Sequence, residues 1–257
     1  MLKNLTCISI SLALASHNYA GDFASGIDSS KSTPITLPET NAWEFKIAPY
    51  IWFSGIDGTS GVPALPPAEI DASFGDIWDN LDFAGFLAFE ANKGKWRIFS
   101  DLQYVNLGTN ATLPSGIDLQ YDLEQVRLEV GAGYEVYSNE TTSLSVYAAA
   151  MYNYINQELS GGGMSEGLSE SWIDPAIGLT LRHRLSNKWK SELSAEYGGF
   201  DVSSEETWQL LAILGYDITQ QWAVVGGYRY QSIDYEDDGF IYDTNTHGPF
   251  LGVAYSF

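Results

Sequence analysis

The sequence predicts an all-β fold, a transmembrane up-and-down antiparallel β-barrel of about ten strands. Three observations predict it. Apolar and polar residues alternate along many segments, and on four of them the apolar face begins and ends with an aromatic residue eight positions apart. Turns alternate strictly between long polar stretches and short tight ones. The last segment, Pro249 to Phe257, puts Pro249, Leu251, Val253, Tyr255 and Phe257 on one face and Gly252, Ala254 and Ser256 on the other. An apolar face toward lipid and a small or polar face toward a lumen is the signature of a membrane barrel. Eight residues rise about 26 Å, or roughly 20 Å once tilted, close to the ~25 Å apolar band between aromatic girdles. A soluble lipocalin-like barrel would turn the aromatic face inward instead.

The chain of 257 residues opens with Lys3 and the apolar run Leu5 to Ala15, followed by small residues. This predicts a secretory signal peptide over residues 1–20, too short to cross a bilayer as a helix. Cys7, the one cysteine, lies inside it, so no disulfide or thiol chemistry is expected. Residues 21–42 are rich in Ser, Thr, Pro and Gly and read as a flexible periplasmic leader. Residues 43–257 form the barrel. Since only helices and closed barrels satisfy their backbone in lipid, strands must do the crossing.

Ten strands are expected in order, near 43–56, 83–92, 95–107, 117–137, 143–157, 171–185, 188–198, 206–218, 221–232 and 246–257. Eight and twelve are the neighbouring counts, because the first long loop has room for extra strand and the fourth is short. The third strand sets Trp96, Ile98, Leu102 and Tyr104 against Arg97, Asp101 and Gln103. The fourth changes phase, with Leu119, Tyr121 and Leu123 apolar before Val126, Leu128 and Val130, and a bulge near Glu124–Gln125 would account for it. The seventh runs from Trp189 to Tyr197, the eighth from Trp208 to Tyr216, and the ninth from Trp222 to Tyr230. These pairs, with Trp96, Tyr104 and Phe257, are the expected aromatic girdle. Long polar stretches fall at 57–82, 108–116, 157–170, 199–206 and 233–246. An even count puts both termini in the periplasm.

Of the charged residues, Lys and Arg number 12 and Asp and Glu 33, for a net charge of −21. After the leader every Lys and Arg lies in a strand or a short turn, whereas the long stretches hold carboxylates alone. One rim is therefore acidic. That excludes nucleic acid as a partner, since phosphate binding needs Lys and Arg, and it concentrates cations. The expected lumen carries both signs: Lys46, Glu90, Arg97, Asp101 and Arg127, then Glu129, Arg182, Glu192, Glu196 and Arg229. Pairing would plug a narrow barrel, and a hydrated pore is the alternative.

The mature chain keeps two histidines, His183 and His247. A hydrolase would have to use His247, near Asp243, with Ser232 as the neighbouring serine. The dense acidic run Asp234 to Gly239 lacks calcium-loop spacing. No catalytic residue, metal or cofactor is expected.

The segments Ala48 to Gly58 (APYIWFSGIDG), Phe74 to Asp82 (FGDIWDNLD), Gly198-Gly-Phe200 with Thr207-Trp208, and Gly227-Tyr-Arg-Tyr230 with Tyr235 to Phe240 and Gly248-Pro249 carry a resemblance. Together they resemble a group of small porin-like or OmpA-like outer-membrane β-barrel proteins of Gram-negative bacteria. The resemblance implies the barrel and its outer-membrane location, with no substrate. In this pattern Asp76 to Leu81 reads as a short helical turn, with Ile77, Trp78 and Leu81 facing the barrel rim or lipid boundary, or equally as an irregular loop. Expected partners are outer-membrane lipid and, through the strand ending at Phe257, the barrel-assembly machinery. A monomer acting as a structural barrel or narrow passive pore is the expected role. A hydrolase, or a surface protein binding divalent cations, is the alternative.

Overall fold

A computed structural model describes residues 42–63, 66–112 and 118–257, and the expected signal peptide and all but the last residue of the leader lie outside them. Ten antiparallel strands close into a barrel: β1 (Glu44–Trp52), β4 (Leu81–Lys93), β5 (Trp96–Thr112), β6 (Asp118–Ser138), β7 (Thr142–Gly161), β8 (Met164–Arg184), β9 (Trp189–Gly198), β10 (Glu206–Asp217), β11 (Trp222–Asp237) and β12 (Phe240–Ser256). Closure is between β1 and the lower half of β12, from Lys46 opposite Ser256 to Trp52 opposite Phe250. Reciprocal bonds of 2.9 Å between the backbones of Phe45 and Phe257 end the seam. A closed barrel leaves no unpaired edge.

Two further strands, β2 (Gly55–Gly61) and β3 (Ala68–Ala72), and one helix, α1 (Phe74–Asp79), occupy the first long stretch. β2 pairs with the upper half of β12, from His247 opposite Gly55 to Ile241 opposite Gly61, and β3 pairs with β2. So β1 and β2 run end to end along one partner, broken at Phe53–Ser54. At the break, Phe53 N–H donates to the Pro249 carbonyl at 2.9 Å. A side chain at Gly248 would meet the Phe53 carbonyl oxygen at 2.2 Å, so only glycine lets the two backbones pass this closely. α1 starts two residues earlier than the expected helical turn because Ser73 caps it. Ser73 and Asp76 exchange side-chain-to-backbone hydrogen bonds in a capping box. Phe74 packs on Phe53 and Trp78.

Three of the four short turns use one device. Asn139 Oδ1 accepts from the backbones of Thr141 and Thr142, Ser186 Oγ from Lys188 and Trp189, and Thr219 Oγ1 from Gln221 and Trp222. A short polar side chain standing in for a backbone acceptor closes such turns. The fourth turn relies on Gly94 at a φ of 57°.

At the other end the strands overrun the expected boundaries. β7 and β8 stay paired up to Gly161 opposite Met164, and β11 and β12 up to Asp237 opposite Phe240. Much of what reads as loop is hairpin, because beyond the membrane band the outer face meets water and the apolar-outward pattern of the crossing strands no longer applies. The expected bulge near Glu124–Gln125 is absent. The ladder runs unbroken there, with Glu124 opposite Asn106 and Gln125 opposite Val105, and β6 shifts register only between Glu135 and Tyr137.

Candidate functional site

The phase change on β6 has another cause. In the crossing band the even residues Val126 to Val136 face outward, and Val130 and Val136 are exposed apolar groups. Above the band Leu123 turns to the inside. There it packs against a core of Ile155, Trp172, Ile233, Tyr235, Phe240 and Tyr242. The sheet is thus membrane-like below and soluble-like above, with one uninterrupted strand serving both. At the heart of this cap the Trp172 and Tyr235 rings stack at 4.0 Å with planes 7° apart. Trp172 Nε1 donates to Asp174, which is fully buried and also accepts the Ser204 backbone N–H at 2.8 Å and hydroxyl at 2.6 Å. The 199–205 connection is thereby tied to β8, next to the strand it follows. Sequence reasoning missed this cap, although the inverted apolar phase of Leu119, Tyr121 and Leu123 was its signal.

Below the cap lie the charged residues singled out from the sequence. Asp101 and Arg229 meet at 3.0 Å, and Arg229 also donates to the Tyr50 hydroxyl at 2.7 Å. The guanidinium carbon sits 5.3 Å and 5.5 Å from the ring centres of Tyr50 and Trp52. Tyr50 in turn donates to Asp101 at 2.9 Å. Arg127, Glu129 and Glu196 are buried at neighbouring positions, with Gln231 donating to Gln209 at 2.6 Å. Nearer the short turns, Glu90 gathers Lys46 at 3.6 Å, Arg97 at 2.8 Å and Arg182. Glu192 takes Arg182 at 2.8 Å, and Lys190 pairs with Asp217 at 2.6 Å. Glu90, Asp101 and Arg229, which are removed from water, are held by such ion pairs and hydrogen bonds.

A cavity of about 570 Å³ opens among the short turns and is lined by Lys46, Glu90, Arg97, Arg182 and Lys190. Its lining reaches inward as far as Tyr50, Asp101 and Arg229. Glu129, opposite Asp101 on the neighbouring strand, lines it too; above come the buried Arg127 and then the apolar cap.

The aromatic residues form two rows on the outside. Trp96 packs on Tyr134 at 5.0 Å, Trp189 on Tyr216 at 4.9 Å, Trp222 on Tyr255 at 4.7 Å and Phe257 on Tyr255 at 5.8 Å, all at the short-turn end. At the far end Phe83 packs on Tyr104, Tyr197 on Phe200 and Trp208 on Tyr230. Between the rows Leu193, Leu210, Leu214 and Leu251 are exposed. No helix among the described residues is long and apolar enough to cross a membrane, and the strands carry the band.

His247 does not face Asp243. Its Nε2 lies 3.3 Å from Asp57 Oδ1 and its Nδ1 2.9 Å from the Tyr228 hydroxyl, on the outer surface of the sheet. Ser232 stands opposite Asn245 rather than His247. With both ring nitrogens engaged, the Ser232–His247 pairing that a serine hydrolase would need is not assembled. His183 Nδ1 contacts the Thr142 hydroxyl at 2.8 Å beside a short turn. No group of three metal-ligating side chains forms among the described residues.

No family model matches this chain, and no curated protein sequence does. Solved structures do. The outer membrane protease OmpT from Escherichia coli superposes with a TM-score of 0.60 at 10% identity, covering 87% of this chain and 99% of that one. The transport unit of the autotransporter AIDA-I from Escherichia coli gives a TM-score of 0.40 at 11% identity, over 87% and 92% of the chains. At such identity the first likeness concerns the fold, which is that of an outer-membrane β-barrel.

Proposed function

We propose that this protein is an integral outer-membrane barrel whose lumen is closed to solutes, so that it serves the membrane as a structural element rather than as a diffusion pore. The apolar cap built on the Trp172–Tyr235 stack carries this reading. A solute entering the short-turn cavity meets the Asp101–Arg229–Tyr50 cluster and then a dry aromatic layer. A hydrophobic constriction of this kind blocks ions by dewetting. The long hairpins face outside the cell and the short turns face the periplasm, consistent with the usual difference in length. Both termini are then periplasmic. Outer-membrane lipid surrounds the Leu-rich band between the aromatic rows, which act as its interfacial girdles. The assembly machinery takes the chain through β12, with its outward Leu251, Val253 and Tyr255.

The named protease shares a barrel with this chain, and that does not bring its activity along. The engagement of His247 by Asp57 and Tyr228 supports a non-enzymatic reading. Planar-bilayer recording of the refolded protein tests the proposal. Silence is expected across a broad voltage range, and a steady conductance would overturn it.

A further inference from the structure

The outer surface carries a polar cluster at the upper edge of the apolar band. At the level of the Trp208–Tyr230 stack, the Tyr228 hydroxyl contacts His247 Nδ1 at 2.9 Å, His247 Nε2 contacts Asp57 Oδ1 at 3.3 Å, Asn245 donates to Asp57 Oδ2 at 3.2 Å, and Tyr230 donates to Asn245 at 2.7 Å. The His247 ring lies 5.8 Å from that of Tyr230, with planes 6° apart. In the tautomer that satisfies both contacts with a neutral ring, Tyr228 donates to Nδ1 and Nε2–H donates to Asp57. The carboxylate charge of Asp57 is then uncompensated, and its side chain is 48% exposed.

Alongside this cluster, in the cross-strand rows of Tyr230 and Tyr228, is an apolar groove of about 660 Å³ on the same surface. Ala195 and Ala212 form its floor, Leu179 and Leu181 one wall, and Tyr228 and Tyr230 the other. The ladder explains the shape. Ala195 lies opposite Leu210 and Ala212 opposite Leu193 and Tyr228, so small residues sit between large ones in adjoining rows. The two tyrosines that wall the groove are the ones that bond the polar cluster.

The surroundings set the charge of any occupant. One cross-strand row above the cluster holds Glu206, Asp234, Asp243, Thr59 and Glu69 in register. Every Lys and Arg after the leader belongs to the lumen or the short-turn half. A phosphate-bearing headgroup without a compensating cation is repelled here, whereas an ammonium is attracted by the carboxylate and by the tyrosine rings. Backbone N–H groups beside the cluster are taken up by the ladder, which leaves no oxyanion-stabilising pair and favours binding over chemistry.

We propose that the groove and cluster form a site for one outer-leaflet amphiphile, with an acyl chain against Ala195 and Ala212 and a primary-ammonium headgroup on Asp57. Native mass spectrometry of the full-length protein released from nanodiscs of equimolar phosphatidylethanolamine and phosphatidylglycerol tests it. Retention of the ethanolamine lipid is expected to exceed that of the glycerol lipid by about tenfold. Ala212→Trp, which fills the groove, should remove bound lipid of either kind. Asp57→Asn keeps the shape and should abolish the preference alone. Folding of each variant is checked by its heat-modifiable mobility. Equal retention of the two lipids, or a preference that survives both substitutions, overturns the proposal. A glycerol-lipid preference that appears with calcium and vanishes with chelator also overturns it, in favour of a cation-bridged anionic lipid.

Discussion

Arg229 is held by Asp101, by the Tyr50 hydroxyl and by the faces of Tyr50 and Trp52, and it is almost fully buried. Such a pair gains little over a well-packed apolar replacement, but losing one member strands the other. Arg229→Leu should therefore cost about 3–5 kcal/mol, and adding Asp101→Leu should recover a large part of it. Urea titrations of the barrel in lipid vesicles measure both, and additivity of the two losses would contradict the pairing. A different cost operates at Asp234. Partial burial raises its pKa, and repulsion from Asp243, Glu205, Glu206 and Glu236 adds to that. A raised carboxyl pKa means that protonation favours the fold, so this contribution is complete below the ordinary value of 3.8 and is lost as pH rises through the raised value. Asp234→Asn should raise thermal stability at neutral pH and change it little below pH 3.8. A benefit that persists equally at both pH values would rule out the repulsion.

At the scale of elements, alternation was legible in the crossing band and lost above it, for one reason. Lipid forces a single answer, apolar outside, so Trp96 to Tyr104 and Trp222 to Tyr230 read directly from sequence. Above the band the solvent on the two faces changes places. Leu123, Tyr121 and the cap residues Ile233 and Tyr235 keep the period of two but invert its meaning. A single sequence shows the inversion as a break in phase, for which a bulge is the local explanation and a buried cap the non-local one. The added β2–β3 hairpin was less legible still, because Gly55 to Gly61 offers few large side chains to pattern. Its place depends on glycine. Gly58 has a φ of 140°, and a side chain there would meet the Asp243 carbonyl oxygen at 2.2 Å. Gly58→Ala should peel β2 from β12 while leaving the barrel seam intact. Amide exchange would then accelerate in Ile56–Ser60 and in Asp243–Thr246, but not in β1. Uniform acceleration across both β1 and β2 would mean that the two act as one strand.

Over the whole molecule, charge and closure point the same way. Lys46, Arg97, Arg182 and Lys190 all cluster toward the short turns, while the long-hairpin rim carries carboxylates. The charge types were legible in the sequence. Their separation by a dry layer was not, since Trp172 on β8 meets Tyr235, Phe240 and Tyr242 of the β11–β12 hairpin only across the barrel. This cap is the one element whose removal should change the phenotype from silent to conducting. Trp172→Ala deletes one side of the stack, and Phe240→Ala removes a fully buried ring beside it. Together they turn a hydrophobic constriction into a wettable one, with Asp174 exposed on the new path. Each large-to-small change in a packed core costs about 3–5 kcal/mol, so the variant must first be shown to fold by its heat-modifiable mobility. If folded, it should pass small cations more readily than anions, because the acidic rim concentrates them at the outer mouth. Selectivity should weaken at high salt, where the Debye length falls to about 3 Å at 1 M. A folded double variant that stays silent would place the barrier at the Asp101–Arg229–Tyr50 cluster instead, and Arg229→Leu in the same background would then be the change that opens the path.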